Sequence, residues 1–387
     1  MSKLRNFGMG MVVVTLILIS AIVITAGCVN NSENPTPVSG VVSHSDITKV
    51  TDYLYEVTYY DYDETKMMEN AKHLENLINK TGNPPAGCSS AHNGDYYGRN
   101  FDYIYSDMSE FIMHVPASEK RYASVGVAAI WVGWTPEYIE AGMPDEDLAL
   151  LPFCILDGIN ENGVGVNTNV VPVNDLEIVT SGTNPGKTDL PLLFAPRYVL
   201  DHAASAKEAV DLLSKCNLIA TKFCSDTTYE LHIMICDPTE SYIVECVNNK
   251  MQVVKDDVMT NYYLTLDSYT PHSQGIERYN ILTEHIAEGD SVDGMDHLMQ
   301  RVQYTKTYNP ENTPRWFSEV CDTVTLDRPI EEKERELNSL SAQAQKTSRT
   351  PKNAIWQTTH SSIYDLKNLT MRVHVQEDYE HSYEYHL

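Results

Sequence analysis

CSSAHNGDYYGRNFD, residues 88–102, is the stretch whose reading decides the fold. Asn93-Gly94 between two polar-apolar runs is a strong short hairpin signal. Cys88 to His92 is then one strand and Asp95 to Asp102 the returning one. Taking Asn93-Gly94 as the two turn residues pairs 92 with 95 and 88 with 99. Cys88 would face Arg99 directly, with Cβ atoms about 5 Å apart. A guanidinium at that distance favours thiolate over thiol. Asp102, three residues past Arg99, falls on the opposite face of a regular strand. It joins the site only if the strand bends or bulges after Asn100. On geometry alone, a surface hairpin with a small buried cysteine fits equally well.

The surrounding sequence is a series of short strands with a few helices. Glu64 to Lys80 carries Met67, Met68, Ala71, Leu74, Leu77 and Ile78 at helical spacing, with Asp63 as N-cap. Alternating Tyr and Val over 46–62 reads as one strand before this helix. Asn83-Pro84-Pro85 breaks the helix, so 46–87 reads as a small helical unit ending in an extended, accessible segment. Tyr122 to Trp134 is strand-like. Leu151 to Leu156 and Gly163 to Val171 flank the turn dipeptides Asp157-Gly158 and Asn162-Gly163. Leu231 to Cys236 and Tyr242 to Cys246 form a hairpin around Asp237-Pro238-Thr239. Ser205 to Cys216 and Gly275 to Ala287 read as helices, and a charged helix is expected near 330–346. Ala354 to Tyr364 and Thr370 to Val375 close the chain as strands. Many strands with interspersed helices predict an α+β fold with largely antiparallel sheets.

Further motifs follow the hairpin in order: Asp157-Gly158-Ile159-Asn160-Glu161-Asn162-Gly163-Val164, Pro172-Val173-Asn174, Met259-Thr260-Asn261, Gly275-Ile276-Glu277-Arg278-Tyr279, and Ser361 to Thr370 (SSIYDLKNLT). With the opening cysteine and Gly98-Arg99-Asn100-Phe101-Asp102, they resemble the choloylglycine hydrolase family, the linear amide C–N hydrolases that include bile salt hydrolases and penicillin V acylases. The resemblance runs from 88 to about 375. The long leader and the acidic 290–350 region depart from it.

The resemblance implies an N-terminal-nucleophile fold, an αββα four-layer sandwich with antiparallel sheets. It implies that Cys88 is the nucleophile and its freed α-amine the base. Arg99 and Asp102 would tune that pair, Asn174 and Asn261 stabilise the oxyanion, and Arg278 support the site; the local match at Asn174 can also slide toward Asn169. The expected substrate is a small N-acyl amide such as a conjugated bile acid. Acyl transfer, a penicillin-acylase-like or acid-ceramidase-like amidase, and a catalytically idle lipid-anchored binding protein are the competing readings. The chemistry demands a free amine, so cleavage at Gly87-Cys88 is expected, by the chain itself.

Composition bounds the rest. The chain has 387 residues and a formal net charge of −26, with 42% hydrophobic and 21% charged residues. Such a surface repels phosphate backbones, which argues against a nucleic-acid partner. Lys3 and Arg5 precede the apolar run from Met11 to Ala26, which ends in Thr25-Ala26-Gly27-Cys28. This is the layout of a signal peptide with a lipoprotein-like end, in which Cys28 carries lipid. An uncleaved membrane anchor is the alternative. Either places the remainder outside the cytoplasm, at the membrane or secreted, with residues 29–45 as a linker. Of eight cysteines, Cys154, Cys236 and Cys246 read as buried free thiols. His272 and His360 read as solvated residues near turns. No HExxH, CxxC or Gly-rich phosphate loop occurs, so no metal or cofactor is expected. A homo-oligomer is compatible with everything above.

Overall fold

The hairpin forms, from strands Gly87–Asn93 and Tyr96–Tyr105, in a computed structural model that describes residues 42–81, 87–105, 108–130, 134–171, 181–220, 230–266, 274–303 and 355–387. Its register differs from the expected one. Gly94 and Asp95 are the turn residues, with Gly94 at φ +60 and no positive φ at Asp95. This is the II′ pattern, glycine at the first central position, where an Asn-Gly type I′ turn needs positive φ twice. Asn93 instead enters the strand, its side chain donating to the Ile286 carbonyl at 3.1 Å. Cys88 therefore lies opposite Phe101, and Arg99 opposite Ser90. An even slip preserves faces. Cys88 and Arg99 remain on one face as diagonal neighbours.

This hairpin is the start of a six-stranded sheet. The edge strand Val258–Met259 pairs with Gly87–Asn93, and Tyr96–Tyr105 pairs with Ile355–Asp365, followed by Thr370–Val375 and Tyr383–His386. Every pairing in it is antiparallel. The second sheet has ten strands. Its centre runs through Glu110–Val115, Ser124–Ala128, Ile155–Asn160, Gly165–Val171, Glu230–Asp237 and Glu240–Val247. Helices Ala195–His202 and Ala206–Ser214 cover the outside of the large sheet, and Gln274–His285 and Val292–Arg301 the outside of the small one. The result is the expected αββα sandwich of α+β class.

Two glycines show why the layers lie where they do. A Cβ on Gly98 would meet Met295 and Met299 of the outer helix at under 3 Å, so the strand presses against that helix while Arg99 beside it points between the sheets. Gly158 sits opposite Gly126 in the large sheet, and a Cβ there would meet the Val125 carbonyl at 2.8 Å. Asp157-Gly158 is thus mid-strand, not the expected turn; the chain turns at Glu161 to Gly163. The glycine permits close backbone approach, and Asp157 faces inward.

The leader is not a separate helical unit. Strand Leu54–Asp61 pairs in parallel with Glu110–Val115 inside the large sheet, with Leu54 beside Glu110. Tyr55, Val57, Tyr59 and Tyr62 are buried. The Tyr59 hydroxyl donates to the Leu148 carbonyl at 2.8 Å and Tyr62 to Asp201 at 2.7 Å. Helix Met67–Thr81 follows a short turn that Asp63 caps by accepting from the Thr65 N–H. Met67, Ala71 and Leu74 are buried against the fold, whereas Met68 is exposed. Burying Val57 and Leu74 is worth about 1.5–3 kcal/mol each.

Cys28, Asn174, His272, the Met11 to Ala26 run and the charged stretch 330–346 lie outside the described residues. No helix among the described residues is long and apolar enough to cross a membrane. Cys88, Cys154, Cys216 and Cys236 are buried free thiols, and Cys246 is buried and makes no disulfide.

Candidate active site

The six-stranded sheet divides the surroundings of Cys88 between its two faces. The side chain enters the space between the sheets. There Arg99 Nη2 lies 3.6 Å from Sγ and also donates to the Thr168 carbonyl at 3.3 Å. Arg99 Nη1 pairs with Asp157 of the large sheet at 3.1 Å. Asp157 further accepts from the Tyr364 hydroxyl at 2.5 Å and lies 2.9 Å from His360 Nε2. All these side chains are buried.

The main chain of Cys88 is held from the other side. Its N–H donates to Asn261 Oδ1 at 2.8 Å, and its carbonyl accepts from Arg278 Nη1 at 2.6 Å. Arg278 reaches down from helix Gln274–His285 and bridges four groups: the Cys88 carbonyl, Ser89 Oγ, Asp102 Oδ2 at 3.1 Å and Asn261 Oδ1. Asp102 therefore sits on the face opposite the thiol, as a regular strand dictates, and joins the site through Arg278. A bulge does occur, on the neighbouring strand: the register between Ile355–Asp365 and Tyr96–Tyr105 shifts at Thr359. It brings Thr358 opposite Asp102, where its hydroxyl donates to Oδ1 at 2.7 Å.

Asn261 is placed by its flanks. The edge strand ends at Met259, and Thr260 Oγ1 ties to the Gly275 carbonyl at 2.7 Å. The Thr260 carbonyl accepts from His232 Nε2 at 2.6 Å, so that nitrogen carries a proton. His232 is steadied by the buried Glu245 at 3.4 Å. Asn261 Nδ2 donates one hydrogen to the Val170 carbonyl at 2.5 Å and has a second hydrogen to offer. Asn169, the alternative to Asn174, donates to Ser90 Oγ at 3.3 Å and to the Met259 carbonyl at 3.1 Å. It braces the strands next to the site.

Charge at the thiol departs from the expectation. Burial is the largest influence on Cys88 and raises its pKa above the ordinary thiol value. Arg99 pulls the other way, Asp102 adds to the rise, and Arg278 opposes it. Arg99 fails to win because the cost of burying the thiolate is larger. Asp157 itself is held below the usual carboxylate range: burial pushes it up, but His360 and Arg99 outweigh that.

His360 contradicts its reading as a solvated residue. It is fully buried between Glu110 and Asp157. Glu110, Asp157 and His360 are site neighbours that no sequence motif singled out by role. The unbroken polar run Thr358 to Ser362 within a strand was the available signal. Elsewhere, Glu64, Asp201 and His202 bring three possible ligand atoms within 4.8 Å of one another. Arg197 pairs with Asp201 at 2.7 Å and Arg121 with Glu64 at 3.4 Å, so this group is an ion-pair network already supplied with cations.

The family described as linear amide C–N hydrolases, choloylglycine hydrolase family, matches residues 88–303, more than half of the chain. Two variant crystal structures of the conjugated bile acid hydrolase from Clostridium perfringens match at 18% identity over 78% of this chain and 92% of that one, with TM-scores of 0.44 and 0.43. The penicillin V acylase from Agrobacterium tumefaciens matches at 14% identity over 75% of this chain and 83% of its own, with a TM-score of 0.36. No curated protein sequence matches.

Proposed function

The chain belongs to the linear amide C–N hydrolases of the choloylglycine hydrolase family, and from that premise we propose that Cys88 is its nucleophile, acting as an N-terminal residue after cleavage at Gly87-Cys88. The chain is a hydrolase of linear amide C–N bonds; the proposal concerns how it works and on what. The observation that supports it most is the separate holding of the two ends of Cys88, nitrogen by Asn261 and sulfur beside Arg99.

Cleavage turns the Cys88 N–H into an α-amine, whose ordinary pKa is about 8. That amine takes the thiol proton as sulfur attacks the substrate carbonyl carbon. The carbonyl oxygen becomes an anion within reach of Asn261 Nδ2, whose second hydrogen stabilises it; such a donor is worth about 3–4 kcal/mol. The protonated amine gives its proton to the leaving nitrogen, the C–N bond breaks, and a thioester remains. Water, deprotonated by the same amine, attacks the thioester carbon; the C–S bond breaks, the acid leaves, and the sulfur takes the proton back from the amine. Arg99 offsets the charge on sulfur. Arg278 and Asp102 fix the Cys88 main chain so that nitrogen and sulfur address one carbonyl. Asn174 is retained in the proposal as a second oxyanion donor.

The leader follows from the same proposal. Its strand belongs to the large sheet and its tyrosines to the core, so the cut leaves two chains held together without a covalent bond. We place the enzyme outside the cytoplasm, tethered through Cys28 or the apolar run before it, from the layout of residues 3–28.

The substrate class proposed is an N-acyl amide of the conjugated-bile-acid kind. Processed protein and its Cys88→Ala variant are to be offered conjugated bile acids, penicillin V, N-acyl amino acids and ceramide, with release of the amine measured. The expected result is release from the bile acid conjugates that falls about 10⁴-fold or more in the variant. Release that persists in Cys88→Ala would overturn the assignment.

A further inference from the structure

Two buried groups between the sheets have no task in the chemistry above, His360 and Glu110. His360 Nδ1 lies 2.8 Å from Glu110 Oε1 and its Nε2 lies 2.9 Å from Asp157 Oδ2. Both partners are carboxylates, to which an imidazolium donates through both ring nitrogens, and Arg99 Nη1 is a third neighbour directed at Nε2. Burial is the largest pull on His360 and lowers its pKa, but Glu110 and Asp157 together outweigh it and raise it to about 9. The cluster is then two carboxylates, Glu110 and Asp157, against two cations, Arg99 and His360.

Arg99 Nη1 and His360 Nε2 converge on the same oxygen, Asp157 Oδ2, at 3.1 and 2.9 Å. They stand 2.9 Å from each other. For two donors that spacing follows from sharing one acceptor. For a neutral His360 it is a ready-made bond from Arg99 to Nε2. The other groups facing this cluster are fixed in charge at neutral pH. Tyr364 donates to Asp157, Thr359 Oγ1 donates to Glu110 Oε1 at 2.9 Å, and the Phe101 ring lies 5.4 Å from the imidazole. Asp102 and Arg278 pair with each other on the far face of the sheet. Glu110 is itself pinned by the leader, its N–H donating to the Tyr53 carbonyl at 2.9 Å.

We propose, resting on the reading of Cys88 as nucleophile, that His360 is a positioning residue whose positive charge occupies Asp157 and so keeps the Arg99 guanidinium directed at the Cys88 thiolate. When His360 gives its proton to solvent, Nε2 becomes an acceptor for Arg99 and the full charge of Asp157 falls on the same guanidinium. The thiolate then loses part of its cationic partner, and the thiol becomes harder to ionise. His360 touches neither substrate nor sulfur; it acts through Asp157 and Arg99.

The test is alkylation of Cys88 by iodoacetamide in processed protein, from about pH 5.5 to 10, read by peptide mass. His360→Gln keeps hydrogen-bonding groups and removes the charge. The midpoint of labelling is expected to rise by about one pH unit, which is about tenfold slower labelling at neutral pH. Adding Asp157→Asn removes the carboxylate that draws on Arg99 and is expected to bring the midpoint at least halfway back. A midpoint that stays put in His360→Gln, or one that the second change fails to restore, makes His360 a packing residue and overturns the inference. Wild-type protein gives an answer that does not depend on the variants folding. Its labelling profile is expected to broaden as His360 titrates near pH 9, where a purely structural histidine leaves a single ionisation curve. Absence of labelling at Cys88 in processed wild-type protein, by contrast, would strike the nucleophile assignment itself.

Discussion

The two faces of the strand that carries Cys88 hold ion networks of different kinds. On the helix side, Arg278 is the ion-pair partner of Asp102 among the described residues, and it also grips the Cys88 carbonyl and Asn261. On the inner side, two cations and two carboxylates alternate as Glu110, His360, Asp157 and Arg99. The first network contacts the main chain of Cys88 and the second contacts its sulfur. The difference teaches that geometry and charge are set independently. A single arginine in a fixed fork positions atoms, whereas a chain containing histidine can change its charge in an accessible pH range.

The contrast breaks most visibly on the helix side. Arg278→Met removes the cation from a buried Asp102 and is expected to cost about 3–5 kcal/mol, measured by denaturant unfolding. Arg99→Met should cost less, because Asp157 keeps His360; equal losses would erase the distinction between the faces. Asn261→Ala tests whether the geometric side also serves the oxyanion. Turnover is expected to fall about 10²–10³-fold with little change in KM. A loss confined to KM would mean that Asn261 only binds. The inner network predicts a pH signature in stability. His360 is raised from 6.5 to about 9 in the fold, so its contribution is complete below about pH 6.5 and is lost as pH climbs through 9. The loss amounts to about 3 kcal/mol, and His360→Gln should abolish that slope. The smallest effect belongs to Thr358→Val, which removes the hydroxyl from Asp102 while keeping shape. About 2 kcal/mol of destabilisation without any shift in the pH profile of activity is expected.

Much of this was legible in sequence, and the gaps have physical causes. The hairpin and the shared face of Cys88 and Arg99 follow from alternation, which has a period of two and survives an even slip. The register itself did not follow, because Asn93-Gly94 and Gly94-Asp95 are both acceptable turns until Ile286 claims the Asn93 side chain. Asp157-Gly158 has turn composition, and only the opposing Gly126 reveals a close strand crossing. Glu110, Asp157 and His360 come from three strands far apart in sequence, and local patterns carry no record of such a meeting. The leader misled for a related reason. Its helix has a clear period, but its strand finds a parallel partner that only the assembled sheet defines. The abundance of tyrosine, 24 against 7 phenylalanines, gains a partial account here. Tyr59, Tyr62, Tyr97 and Tyr364 are buried yet each hydroxyl reaches an oxygen acceptor, which phenylalanine cannot do.

The central claim is that catalysis needs a free α-amine on Cys88, and the mass of the active protein under denaturing conditions tests it most directly. The account predicts two polypeptides that co-purify, one beginning with Cys88 and the other containing strand Leu54–Asp61 and helix Met67–Thr81. Full activity in a chain still continuous across Gly87-Cys88 would contradict it.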